Sequence, residues 1–150
     1  MIRTIKLMVV GLISSGLISC DKEDTPAPPD PNITFKATLS GANERPTPNN
    51  STATGSSTLV FNNDTKIFTV TTTYSGLTGT VSGAHIHKAD VTVSGPVVFG
   101  FSNLASPIVY TSAPLDANQE ADLKAGLYYV NVHSTPTYAG GEVRGQLIKQ

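Results

Sequence analysis

The apolar residues of this chain recur at every second position, in runs too short for anything but β-strands. Ile33, Phe35, Ala37 and Leu39 alternate with Thr34, Lys36 and Thr38, and in a strand that period turns one set toward a core and the other toward water. Comparable runs cover Ala53 to Phe61, Ile67 to Tyr74, the segment after Gly79, Val97 to Phe101, Ile108 to Thr111, Leu127 to His133 and Glu142 to Ile148. Turn formers separate them: the loop Gly41 to Asn50, Asn62-Asn63-Asp64 in a hairpin, Gly95-Pro96, and Pro136 to Gly141. One stretch reads as a helix. Asp116 and Gln119 stand at capping-box spacing, Ala121, Leu123 and Lys124 follow, and Gly126 ends the run. The pattern predicts an all-β domain, an antiparallel Greek-key sandwich or barrel of roughly eight strands with one short helix before the penultimate strand.

The start of the chain has a different character. Arg3 and Lys6 precede an apolar run from Leu7 to Leu17, which has signal-peptide length and falls short of the ~20 residues of a membrane-spanning helix. Leu17-Ile18-Ser19-Cys20 resembles the lipobox of bacterial lipoproteins, in which the cysteine thiol is lipidated before cleavage in front of it. Residues 1–19 are therefore read as a lipoprotein signal peptide and Cys20 as the lipidation site. The single cysteine rules out an intrachain disulfide, and lipidation accounts for its survival in an exported protein. Asp21-Lys22-Glu23-Asp24 is similar to the short acidic tags that send some lipoproteins to the outer face of the outer membrane; it fits the start of a solvated linker equally. The prolines of Thr25 to Pro31 make residues 20–31 an extended tether. The folded domain is placed at 32–150, in the bacterial cell envelope and bound to the membrane through Cys20. A formal net charge of −1 gives no electrostatic reason to expect nucleic acid.

The three histidines of the chain carry its most specific chemistry. His85 and His87 are two apart and share one face of a strand, with Ala84 and Ile86 on the other. The same parity sets Asn131 and His133 against Val130 and Val132, and Glu142, Arg144 and Gln146 against Val143 and Leu147. Neutral imidazoles suit copper or zinc, so His85, His87 and His133 are candidate metal ligands. Arg144, Glu142, Asn131 and Gln146 are candidates for orienting an imidazole or holding a small anion. The same residues also suit a purely hydrogen-bonded network across neighbouring strands, with Arg144 paired to Glu142 or Glu44. Metal ligation and a structural network both remain open on these grounds.

Gly41-Ala42-Asn43-Glu44-Arg45-Pro46, Ala84-His85-Ile86-His87, Gly95-Pro96-Val97-Val98, Tyr129 to His133 and Gly141 to Leu147 together resemble the chordin-type CHRD domain. The resemblance runs from about Ile33 to Gln150 and implies a β domain of bacterial secreted proteins, with no established activity. Where the family commonly has glycines after the histidine pair, this chain has Lys88-Ala89-Asp90-Val91-Thr92-Val93-Ser94. A fainter likeness to copper,zinc superoxide dismutases would put His85, His87, His133 and Arg144 around copper. It lacks a bridging histidine, a zinc-ligand cluster and a disulfide pair.

Catalysis by a nucleophile is not indicated, since no Gly-x-Ser-x-Gly elbow occurs, and Glu44 has no second acid for glycosidase chemistry. Tyr74, Tyr110, Tyr129 and Tyr138 could form an exposed surface for a protein or glycan partner, or pack on the core. The sequence thus predicts a non-catalytic envelope binding module. The alternative is a three-histidine copper or zinc protein, redox-active and dismutase-like if the metal is copper.

Overall fold

The computed structural model describes residues 28–150. The segment read as a signal peptide (1–19), the expected lipidation site Cys20 and the tether as far as residue 27 lie outside the described residues. Nine strands follow: β1 (Asn32–Ser40), β2 (Thr54–Asn62), β3 (Phe68–Ser75), β4 (Thr80–Lys88), β5 (Val97–Gly100), β6 (Ile108–Thr111), β7 (Tyr128–Thr135), β8 (Tyr138–Gln146) and β9 (Ile148–Lys149). Helix α1 (Ala117–Lys124) stands before β7. All described pairings are antiparallel, in the order β5-β4-β7-β8-β1-β2-β3-β6, with β9 added beside β1. The domain is therefore all-β. It is one continuous curled sheet rather than two stacked ones.

Period two explains the core. Phe35, Ala37 and Leu39 from β1, Leu59 and Phe61 from β2, Phe68 and Val70 from β3, Ala84 and Ile86 from β4, and Val130 and Val132 from β7 all point inward and are buried. Each large one contributes about 1.5–3 kcal/mol by leaving water. Side chains join the two ends of the sheet: Phe99 of β5 packs edge-on against Phe68 of β3 at 5.1 Å, and Phe101 lies 5.4 Å from Tyr110 of β6. One polar pair sits inside, Ser57 and Thr72, which face each other across β2 and β3 and share a 2.7 Å hydrogen bond. Because it is satisfied, it carries little penalty.

The capping box read from Asp116 and Gln119 is formed in full. The Asp116 carboxylate accepts from the backbone of Asn118 and Gln119, and the Gln119 side chain accepts from the Asp116 amide. Gly126 takes the left-handed φ of +72° that lets the chain leave the helix. Leu123 is the helix's buried anchor.

One segment departs from expectation. Pro136 to Gly141, read as a loop, largely belongs to β8, which begins at Tyr138. The β7–β8 register steps two residues on β7, from Val132 to Ser134, against five on β8, from Val143 to Tyr138. This wide bulge, with Gly141 at φ +135°, breaks the parity that joins Glu142 to Arg144.

Candidate metal centre

The histidine pair sits on β4 with its parity intact. Ala84 and Ile86 are fully buried in the core, so His85 and His87 project from the opposite face. β4 pairs with β7 so that His87 faces Tyr129, His85 faces Asn131 and Gly83 faces His133. Residues diagonal across an antiparallel pair are within reach of long side chains, which brings His133 to His85. Gly83 makes room for them, because a Cβ there would come within 3.0 Å of His85 Cε1.

The three rings converge. His85 Nδ1 lies 3.3 Å from His133 Nε2, and one nitrogen from each ring lies within 4.8 Å of the others. Two nitrogens on one tetrahedral ion, each ~2.0–2.1 Å from it, are themselves about 3.3 Å apart. The His85–His133 separation already has that value.

The far side of two rings is fixed by backbone. His87 Nδ1 donates to Gly95 O at 2.9 Å, and His133 Nδ1 donates to Ala139 O at 3.0 Å. A carbonyl can only accept, so both rings carry a proton on Nδ1; His87 Nε2 is left with an open lone pair, while His133 Nε2 accepts from His85 Nδ1 until an ion takes that proton's place. His87 Nε2 is buried without a hydrogen-bond partner. Burial, reinforced by the neighbouring imidazoles, lowers the proton affinity of His85; burial likewise lowers that of His87 despite the Gly95 contact. Both are therefore held in the neutral form that binds metal. Three imidazole nitrogens, with no carboxylate or thiolate in the group among the described residues, suit copper or zinc and not calcium or magnesium.

A loop of residues 89–96 closes over this face, and the predicted supporting residues hold it. Arg144, 1 % exposed, donates to Val93 O at 2.9 Å and Asp90 O at 3.1 Å. Gln146 donates to Ala89 O at 3.0 Å. Tyr129, which the sequence leaves open between an exposed surface and core packing, is buried yet lies outside the hydrophobic core cluster. Its ring stacks on His87 at 4.9 Å, lies 3.6 Å beneath the Arg144 guanidinium, and its hydroxyl accepts from Gly95 N. Its parity with Asn131 and His133 was the available signal. Arg144 thus acts on His87 through the Gly95 loop, with its forked donors already taken by backbone.

Glu142 and Asn131 go elsewhere. The bulge turns the Glu142 carboxylate to Ser51 Oγ at 2.6 Å, Thr78 N and Oγ1 at 2.9 and 2.8 Å, and Ser134 Oγ. Burial would raise its proton affinity, but these donors outweigh it and hold the group below the usual carboxylate range. Asn131 Nδ2 donates to Glu44 Oε2 at 3.3 Å. Burial pushes the Glu44 carboxyl up to about 7 against the pull of Arg144, Asn131 and Arg45.

A model of the CHRD domain family matches residues 35–147. No curated protein and no solved structure matches the chain.

Proposed function

The chain belongs to the CHRD domain family, and from that premise we propose that it is a non-catalytic binding module whose ligand is a copper or zinc ion held by His85, His87 and His133. The observation that supports this most is the buried, orphaned Nε2 of half-buried His87, beside two nitrogens already at the spacing of ligands on one ion. The bound ion would supply positive charge and an open coordination position; the chain supplies ring orientation, through the carbonyls of Gly95 and Ala139, and exclusion of water, through the 89–96 loop. We place the module in the cell envelope, exported and anchored by a lipid on Cys20. That part rests on the sequence of residues 1–20 alone.

The test is metal content and affinity of purified, tag-free protein beside a His85→Ala/His87→Ala variant. At free metal about 100-fold above Kd, binding stabilises the fold by ~2.7 kcal/mol, a Tm rise on the order of 10 °C. Equal uptake by both proteins, or none by either, contradicts the reading. For the anchor, metabolic labelling with a fatty acid should mark the chain and miss its Cys20→Ala variant.

A further inference from the structure

A second feature lies beyond the histidines, on the far side of Asn131. The loop of residues 41–50 and the bulged start of β8 enclose a cleft of about 380 Å³, within the ~300–1,000 Å³ range of small-molecule sites. Glu44 lines it and is only 4 % exposed. Its Oε2 accepts from Asn131, while its Oε1 is buried with no partner. Such an atom costs about 1–3 kcal/mol unless a donor reaches it. Gly141 is what admits Glu44 to this position, since a Cβ there would lie 2.8 Å from Glu44 Oε2. The walls are mixed: Pro46, Pro48 and Tyr138 give apolar surface, beside Arg45, Thr47, Asn49 and Thr137.

Charge narrows the ligand. Arg144 and Arg45 both act on the Glu44 carboxyl, and Arg45 is fixed there by donating to Glu44 O at 2.7 Å. An ammonium ligand would meet the Arg45 guanidinium that lines the cleft, and an acidic one would meet Glu44. A neutral molecule with hydroxyl donors and apolar C–H faces meets neither obstacle. We propose that this cleft binds a neutral saccharide, with a sugar hydroxyl donating to Glu44 Oε1 and ring C–H faces packed on Tyr138, Pro46 and Pro48. The site is separate from the histidines, and their metal reading stands or falls independently.

Gly140 offers a clean test. It lines the cleft, yet a Cβ added to it meets nothing within 4 Å. Gly140→Phe should therefore fill the cleft without straining the fold. The full chain would be titrated by NMR with maltose, cellobiose and diacetylchitobiose, with glucosamine and glucuronic acid as charged comparators. At least one neutral disaccharide should shift the amide signals of Tyr138 and Gly140. Glu44→Gln should weaken it by about tenfold or more, and Gly140→Phe should abolish it with Tm and metal uptake unchanged. Failure of every neutral sugar to bind, preference for a charged comparator, or binding that survives Gly140→Phe would overturn the proposal.

Discussion

The two halves of the sheet obey one rule inside and differ outside. In β2 and β3, buried and exposed residues alternate cleanly, and the outer face is a bare lattice of hydroxyls: Ser56 bonds Thr73, and Thr69 bonds Thr111, each at 3.0 Å in water. In β7 and β8 the burial runs unbroken from Tyr128 to Val132 and from Gly141 to Gly145. There the loops 41–50 and 89–96 fold over the outer face and meet where Ser94 Oγ donates to Arg45 O. Covered polar groups need fixed partners, whereas exposed ones exchange water freely. The bare half is therefore scaffold, and the covered half is where chemistry can be held in place.

That contrast can be broken by substitution, beginning with the inner face common to both halves. Ile86→Ala, at a fully buried position, should cost about 2–5 kcal/mol in denaturant unfolding. If it costs under ~1 kcal/mol, the packing of β4 described above is wrong. Next comes the clamp on the covered half. Arg144→Met strips Val93 O and Asp90 O of their donor and should lower stability by about 1–3 kcal/mol. It should also weaken metal binding about 10- to 100-fold by freeing the Gly95 loop. Arg144→Lys should fail to restore it, because an ammonium cannot span both carbonyls. Unchanged metal affinity in both variants would detach the loop from the site.

The proton linkage of Glu44 sharpens the comparison further. Its folded pKa of about 7 lies above the ordinary glutamate value of 4.5, so the folded state binds the extra proton. The stability this contributes is complete below pH ~4.5 and is lost as pH rises through ~7, about 3 kcal/mol in all. His85 and His87 act in the opposite sense, since their lowered folded pKa values make acidification unfavourable. The difference between wild type and Glu44→Gln, followed by thermal melts across this window, isolates the carboxyl. A constant difference would show that Glu44 titrates normally. The smallest effect belongs to the bare half: Thr71→Ala, on its exposed face, should change stability by less than about 0.5 kcal/mol.

How much of this was legible follows from how local each cause is. The alternation in Ile33 to Leu39 and the Asp116–Gln119 box act within a few residues, so they could be read directly. The common face of His85 and His87 is likewise a property of one strand. Their meeting with His133 depends on β4 lying beside β7, which parity permits without requiring. Glu142 was misplaced for a definite reason: two-residue counting fails across the bulge in β8, where five steps oppose two. The burial of Tyr129 was hidden too, since it comes from a loop some 35 residues earlier, held down by Arg144.

The most direct measurement is X-ray absorption on the full chain loaded with zinc or copper. Three imidazole nitrogens at ~2.0–2.1 Å should surround the ion, and the pattern should disappear in the His85→Ala/His87→Ala variant. An ion ringed by oxygen alone, or an identical spectrum from the variant, would contradict the assignment.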